Sequence, residues 1–451
     1  MTPLQTPSVE DVARTIVPPL ALAQFLSTFA NTLINVSISD ITHDLGTTVT
    51  AVQTAITLFT LIMAMFMIAG SKLTDIWGRK RIFLWGVGIF AAGSAVAAFS
   101  PTMDIFIIGN SVLQGLGSVL LIPPIYILIT VSIDDLRARA AAFGVVGGAA
   151  GLGAAVGPIV GGTITTAFSW RVAYVSPILL AIAIFFLSWR IRDVPFTGPK
   201  PSLDITGTVL SALGMGLIVI GLLLASNYGW VQARQDFVIG STVLIPKGGI
   251  SPVWPLVGIG FLLLVAFYLH IRATERRGGE PLVHTRVLAN RVANLGLVTQ
   301  IANWFMIIGS SFVVSVYFQV SREYSAVQTG IFLLPATVGL LLGSWQVGAL
   351  TRRFSSRALL VAGFLVAVVG TVVMLLLGRA SGSGWLLAPG LFLFGLGMAL
   401  VLAVSVNVVQ SSMPERDQGE ISGVSRSVSN LGSSLGTAVA GAVLVSALIV
   451  G

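Results

Sequence analysis

The sequence predicts an all-α, polytopic membrane protein: about thirteen visible apolar helices, arranged as two six-helix halves with an extra helix pair between them, the last helix of the second half being absent from the count. Three observations carry that prediction. The chain of 451 residues is 55% hydrophobic and only 9% charged, with a mean hydropathy of +0.95, whereas a soluble domain carries about 25% charged residues. So few charges cannot cover a folded chain of this length against water, and most of its surface must face lipid. Thirteen apolar runs are long enough to cross a hydrocarbon core of about 30 Å. Basic residues recur in every second connection, and part of the sequence repeats.

The runs follow in order, each bounded by charge or turn residues. The first, 17–39, lies between Arg14 and Asp40. Runs 50–70 and 82–99 flank Lys72 and Arg79 to Arg81, and 105–130 stops before Asp134. Runs 139–166 and 171–190 part at Ser169-Trp170-Arg171. Next come 205–226, opening after Asp204, and 253–272, ending at Arg272. Run 294–318 follows Arg291, and 325–350 and 356–378 flank Arg352 and Arg353. The last two, 385–410 and 419–448, are separated by Pro414 to Asp417. Among the connections, 227–252 is the longest outer one. Its Trp230 and nearby Trp254 favour an irregular loop with interfacial aromatics, with a short hairpin over 237–245 as the alternative.

With the N-terminus in the cytoplasm, only Arg171, Arg234, Lys247, Arg322 and Arg379 of the 25 basic residues fall on the outside. That is a strong positive-inside bias, with Arg416 and Arg426 counted among the inner charges. The net charge of +8 and pI near 10.3 therefore read as topology signals, and a nucleic-acid partner is excluded because the charges are scattered between apolar runs. Glu10, Asp11 and Arg14 do not form the basic start of a cleaved signal peptide, so the first run reads as a retained span. With 0 Cys, disulfides, thiolate metal sites and cysteine nucleophiles are excluded.

Gln53-Thr54-Ala55-Ile56 opens the second run and Gln328-Thr329-Gly330-Ile331 the tenth, and the connections after them also correspond, 71–80 with 348–357. Asp75 then faces Arg352. A duplicated six-span unit explains this, giving an N-terminal half over 1–191, a linker with two extra helices over 192–280, and a C-terminal half over 281–451.

Ser71 to Arg81 carries Leu73, Asp75, Gly78, Arg79 and Lys80 in the spacing Leu-x-Asp-x-x-Gly-Arg-Lys, which resembles the inner-loop signature of the major facilitator superfamily. A tight turn between packed helices needs Gly78, and an aspartate can bind a helix N-terminus in one conformation and release it in another. A basic topology loop alone would explain Arg79 and Lys80 but not the Asp–Gly spacing. The fifth run, 151–162, resembles the antiporter signature of the same superfamily through Gly153, Gly157, Pro158, Gly161 and Gly162; small residues allow close helix approach and Pro158 supplies a bend. Later segments, Asn227 to Trp230, Glu280-Pro281-Leu282 and the Gly432 and Gly436 pattern, resemble the fourteen-helix drug:proton antiporter branch. That branch would carry one more helix after Gly451; a natural thirteen-span protein and a shortened chain both remain open.

The resemblance implies a multi-pass transporter of a bacterial plasma membrane, moving small amphipathic molecules by alternating access, with no cofactor and no catalytic or metal-binding residues. It also exposes two departures. Ala30 stands where that branch has an Asp, and Asn110 where it has an Arg. None of the 17 acids lies mid-span; Asp40 and Glu420, at span ends, are the candidate proton carriers. The polar residues at depth are Gln24, Thr28, Asn31 and Asn35 on one face of the first span, Asn110 and Gln114 on the fourth, Gln300, Asn303 and Trp304 on the ninth, and Asn407 and Gln410 on the twelfth. These form the expected substrate cavity; the competing role of each is an interhelical hydrogen bond worth about 0.6 kcal/mol. Such a lining favours neutral or lipid-like substrates over permanent cations and weak proton coupling. The alternatives are a membrane-embedded lipid-modifying enzyme and an ordinary cationic-drug:proton antiporter.

Overall fold

The computed structural model describes residues 9–189, 191, 202–239, 242–318, 322, 324, 326–378 and 383–450. Thirteen long helices dominate them: α1 (Val9–Val36), α2 (Val49–Trp77), α3 (Arg79–Ala98), α4 (Met103–Ser132), α5 (Leu136–Ala167), α6 (Val175–Ser188), α7 (Ile205–Tyr228), α8 (Val253–Arg276), α9 (Arg291–Val316), α10 (Ala326–Leu350), α11 (Ser356–Leu377), α12 (Ala388–Ser411) and α13 (Gln418–Val450). Side-chain caps start several of them: Thr48, Asp135, Asp204, Asn290 and Ser355 each accept from a backbone N–H in the first turn. Each removes an orphan donor that lipid would leave unsatisfied.

Among the described residues, twelve helices are long and apolar enough to cross a membrane. The expected thirteenth, α13, has 33 residues, polar in its first half and apolar from Ala438 onward. Its first turns carry Gln418, Glu420, Ser422, Ser425, Arg426, Ser427 and Ser429, all buried against protein. Hydropathy is low there because this stretch of α13 packs on other helices.

The two halves repeat one packing pattern. α1 packs on α5 as α9 packs on α13, α2 on α4 as α10 on α12, and α3 on α4 as α11 on α12. Between the halves, α2 meets α13 while α10 meets α5, the same contact under exchange of halves. The extra pair is attached through α7, which packs on α2 and α13 together, so it flanks a seam between the halves.

Three sequence expectations need correction. The segment 71–81 is not a loop: α2 continues to Trp77, and Gly78 alone, at φ 97°, separates it from α3. Only glycine adopts that φ without strain. The 227–252 connection contains a hairpin, β1 (Phe237–Ile239) paired antiparallel with β2 (Thr242–Ile245). The Tyr228 ring packs edge-on against Phe237 at 5.4 Å, and Ser251 Oγ donates to Gly229 O at 2.6 Å, closing the base. Arg426, counted as an end charge, is buried two turns inside α13; a basic residue marks a helix end only when no neighbouring ring or cavity accepts it.

Candidate functional site

The end of the bundle bearing Lys72, Asp75 and Arg79 is closed by contacts between the halves. Lys72 Nζ and Glu420 Oε1 pair at 2.8 Å, both 3% exposed. Glu420 also accepts from His284, at 2.8 Å from Nδ1 and 2.7 Å from the backbone N–H. Ser71 Oγ donates to Gly419 O. Asp75, 4.0 Å from Arg79 Nε, lies against Gly419 so closely that any Cβ there would overlap its carboxylate. A carboxylate thus sits beside the N-terminus of a long helix, where the positive end of the helix dipole favours it. Arg286 binds Asp417 at 2.7 and 3.0 Å, and that hydrogen bond holds the guanidinium above its ordinary pKa. Asp204 caps α7 while contacting His270 at 3.0 Å and the Leu282 N–H at 3.3 Å. The segment joining α8 to α9 is therefore clipped to the same cluster.

Further contacts reinforce the closure. Arg139 Nη1 reaches Ser411 Oγ at 3.3 Å, and Ser422 Oγ reaches Pro123 O at 3.3 Å. α5 and α10 approach backbone to backbone: a Cβ on Gly144 would stand 2.5 Å from Ser344 O, and Gly148, Gly151 and Gly348 face Leu341, Leu340 and Ala141. At the opposite end, polar contacts of the described residues run within the first half. Arg171 binds Asp44 at 2.9 Å and Ser100 O at 2.6 Å, and Ser37 bonds Thr165 at 3.1 Å. The bundle is closed at its basic end.

The predicted gating residues divide accordingly. Asp75, Gly78 and Arg79 lie at the closed end, and Lys80 donates to Trp189 O at 3.0 Å beside it. Gly153 and Gly157 instead fit α5 against α1, facing Thr28 and Thr32 within one half. Gly161 and Gly162 continue that buried face. α5 is helical through position 158; the Pro158 side chain lies outside those described. Glu420 belongs to the closed cluster, whereas Asp40 is exposed on the short helix Ile38–Asp44 at the other end.

The predicted cavity set divides too. Asn110 accepts from Tyr174 Oη at 2.9 Å, in a π-helical turn of α4, and Gln114 donates to Ser94 Oγ at 3.0 Å. Both knit the first half together. Thr28 bonds its own backbone at Gln24 O; Asn31 is partly exposed, and the Asn35 side chain lies outside those described. Gln24 accepts from Tyr126 Oη at 3.2 Å. In the second half, Gln300 Oε1 accepts from Ser425 at 2.7 Å and Ser429 at 3.3 Å, Asn303 donates to Met398 O at 3.2 Å, and Asn407 Oδ1 accepts from Ser411 at 3.3 Å. Trp304 packs against the core containing Tyr126 and Phe143. Gln300 Nε2, Asn303 Oδ1, Trp304 Nε1 and Gln410 Oε1 are buried without partners, so these residues still have hydrogen bonds to offer.

A polytopic helical bundle of two similar halves, with a polar closure at one end, is the architecture of a transporter. The family model of the Major Facilitator Superfamily matches residues 20–437, and the chain belongs to that superfamily. It is 27% identical to the probable actinorhodin transporter of Streptomyces coelicolor, over 93% of this chain and 70% of that protein. It is 29% identical to the puromycin resistance protein of Streptomyces alboniger, over 92% and 79%. The crystal structure of the human organic anion transporter MFSD10 aligns with a TM-score of 0.64 at 15% identity, covering 96% of this chain and 93% of that one, a likeness of fold alone.

Proposed function

We propose that this protein exports small amphipathic organic molecules across a bacterial plasma membrane by alternating access, with its basic end in the cytoplasm. The observation that carries this reading is the closure itself: the halves are joined at one end through short polar contacts and glycine crossings that can part without unfolding either half. With the basic end inside, the closure seals the cytoplasmic end, as an exporter requires while it releases its load outside. The relatives named for actinorhodin transport and puromycin resistance support the substrate class. Glu420, shared between Lys72 and His284, is the better placed of the two acids for proton coupling, because its protonation would weaken the closure directly.

The test is transport by the purified protein in sealed vesicles, with drugs and lipid analogues, with and without a pH gradient. Movement of unchanged molecules between compartments is the expected result; a chemically altered product in detergent would replace the reading with a membrane enzyme. Strong gradient-driven export of a cationic dye, abolished by Asp40→Asn or Glu420→Gln, would establish an ordinary cationic-drug:proton antiporter.

A further inference from the structure

Arg426 is the buried cation that the closure does not use. Its side chain is 7% exposed, whereas Lys72, Arg79 and Arg286 at the closed end each face a carboxylate. Among the described residues no acidic side chain pairs with Arg426. An arginine stays charged in a protein, and an uncompensated charge in a water-poor interior is costly, so one found at depth in a membrane protein has a functional reason by default.

The surroundings indicate that reason. The guanidinium carbon lies 3.7 Å from the centroid of the Tyr126 ring, which stacks on Phe143 at 5.8 Å, while the Tyr126 hydroxyl is held by Gln24. Tyr126 covers one face of the guanidinium and engages part of its donor edge through its hydroxyl; the remaining N–H groups are donors of the kind that bind an oxyanion. One helical turn further along α13, Asn430 Nδ2 is buried without a partner, and so is Trp304 Nε1 on α9, which packs against the same core. An indole N–H can only donate. The cluster therefore offers positive charge and spare donors, beside aromatic surface able to take hydrocarbon. It lies two turns of α13 beyond Gly419, on the far side of the closure, and is built from both halves: Gln24 and Tyr126 from one, Trp304, Arg426 and Asn430 from the other.

We infer that Arg426 is the head-group site for an amphipathic organic anion, bound by its carboxylate or a comparable oxyanion while the apolar body lies against Tyr126 and Phe143. The inference rests on the export reading and narrows its substrate class; it replaces the expectation of neutral substrates, which counted Arg426 as an end charge. Because the two halves share the site, opening the basic end separates Arg426 from Tyr126 and changes the site with the conformational cycle.

The test uses the full chain in proteoliposomes and three fluorescent probes with one dansyl–alkyl body, ending in a carboxylate, its primary amide or a trimethylammonium group. The wild type is expected to show a KM for the carboxylate about tenfold or more below that of the amide, the scale of one charge-assisted contact. Arg426→Gln is expected to erase that ratio mainly through KM, and Arg426→Lys to keep most of it. If Arg426→Gln does not give a monodisperse protein, the ratio in Arg426→Lys and inhibition of wild-type transport by the unlabelled carboxylate against the amide decide the matter. A ratio unchanged in Arg426→Gln, or a wild type that prefers the amide or the ammonium probe, overturns the inference and leaves Arg426 as a clasp on Tyr126, with export intact. A wild type that moves none of the probes nor any molecule of the drug and lipid panel overturns export and the head-group site together.

Discussion

At the scale of single residues, the closed end depends on a carboxylate that nothing may crowd. Asp75 occupies the space where Gly419 has no side chain, so Asp75→Asn keeps the volume but loses the charge that the N-terminus of α13 favours. Turnover is expected to slow several-fold while expression and substrate binding persist; unchanged transport in a well-expressed variant would reduce the segment to a topology signal. Glu420→Gln acts more strongly, because it leaves Lys72 buried without its counter-charge, a loss of about 3–5 kcal/mol. That loss falls on the closed state, so a cysteine placed at the buried Ser422 should become markedly more reactive toward a thiol reagent in the Glu420→Gln background. Equal reactivity in both backgrounds would place the closing energy elsewhere. Asp75, Gly78 and Arg79 were legible in the sequence because turn chemistry is local. The Lys72–Glu420 pair was not: its members are 348 residues apart, and no pattern in either segment specifies the partner. Arg426 was misread for a related reason, since charge counting assigns every cation to a helix end.

At the scale of elements, the helix count was legible to within one because hydrocarbon thickness fixes the length of a span. What hydropathy could not show is which face of a helix meets protein. α5 illustrates this: Gly153 and Gly157, expected to serve gating, seat α1, whereas Gly144, Gly148 and Gly151, which were not singled out, receive α10 from the other half. The two groups should respond differently to enlargement. Gly144→Val puts a branched Cβ 2.5 Å from Ser344 O, and is expected to hold α5 and α10 apart, cutting transport by an order of magnitude or more without preventing assembly of either half. Gly258→Val on α8 is the matched control, since nothing lies within 4 Å of its added Cβ, and its transport should stay near wild type. If both variants transport alike, the close α5–α10 crossing has no part in the cycle. The hairpin between α7 and α8 was underweighted because its β-prone residues occupy a short stretch that composition alone cannot distinguish from loop.

At the scale of the whole molecule, the exchange symmetry that pairs α2 with α13 and α10 with α5 makes the closure a property of both halves, and it predicts reciprocal motion. The absence of cysteine, 0 in 451 residues, allows spin labels to be placed without removing any native thiol. One pair, Arg137→Cys with Arg416→Cys, reports on exposed positions of the two halves at the basic end; a second, Asp104→Cys with Leu386→Cys, reports on the opposite end. In the resting protein the first distance should be short and narrowly distributed. A population with the basic end open must lengthen it and shorten the second, because halves that move as rigid bodies about a central site cannot open at both ends. Glu420→Gln should enlarge that population without added substrate. Topology reporters fix the direction of the motion: fusions after Lys80 and Arg277 should report cytoplasm, and one after Lys247 the outside, as the positive-inside bias requires. If both distances lengthen together, or the second stays fixed while the first changes, rocking fails as the mechanism. The closure at Lys72, Asp75 and Glu420 would then be a local latch acting at one end of an otherwise static bundle.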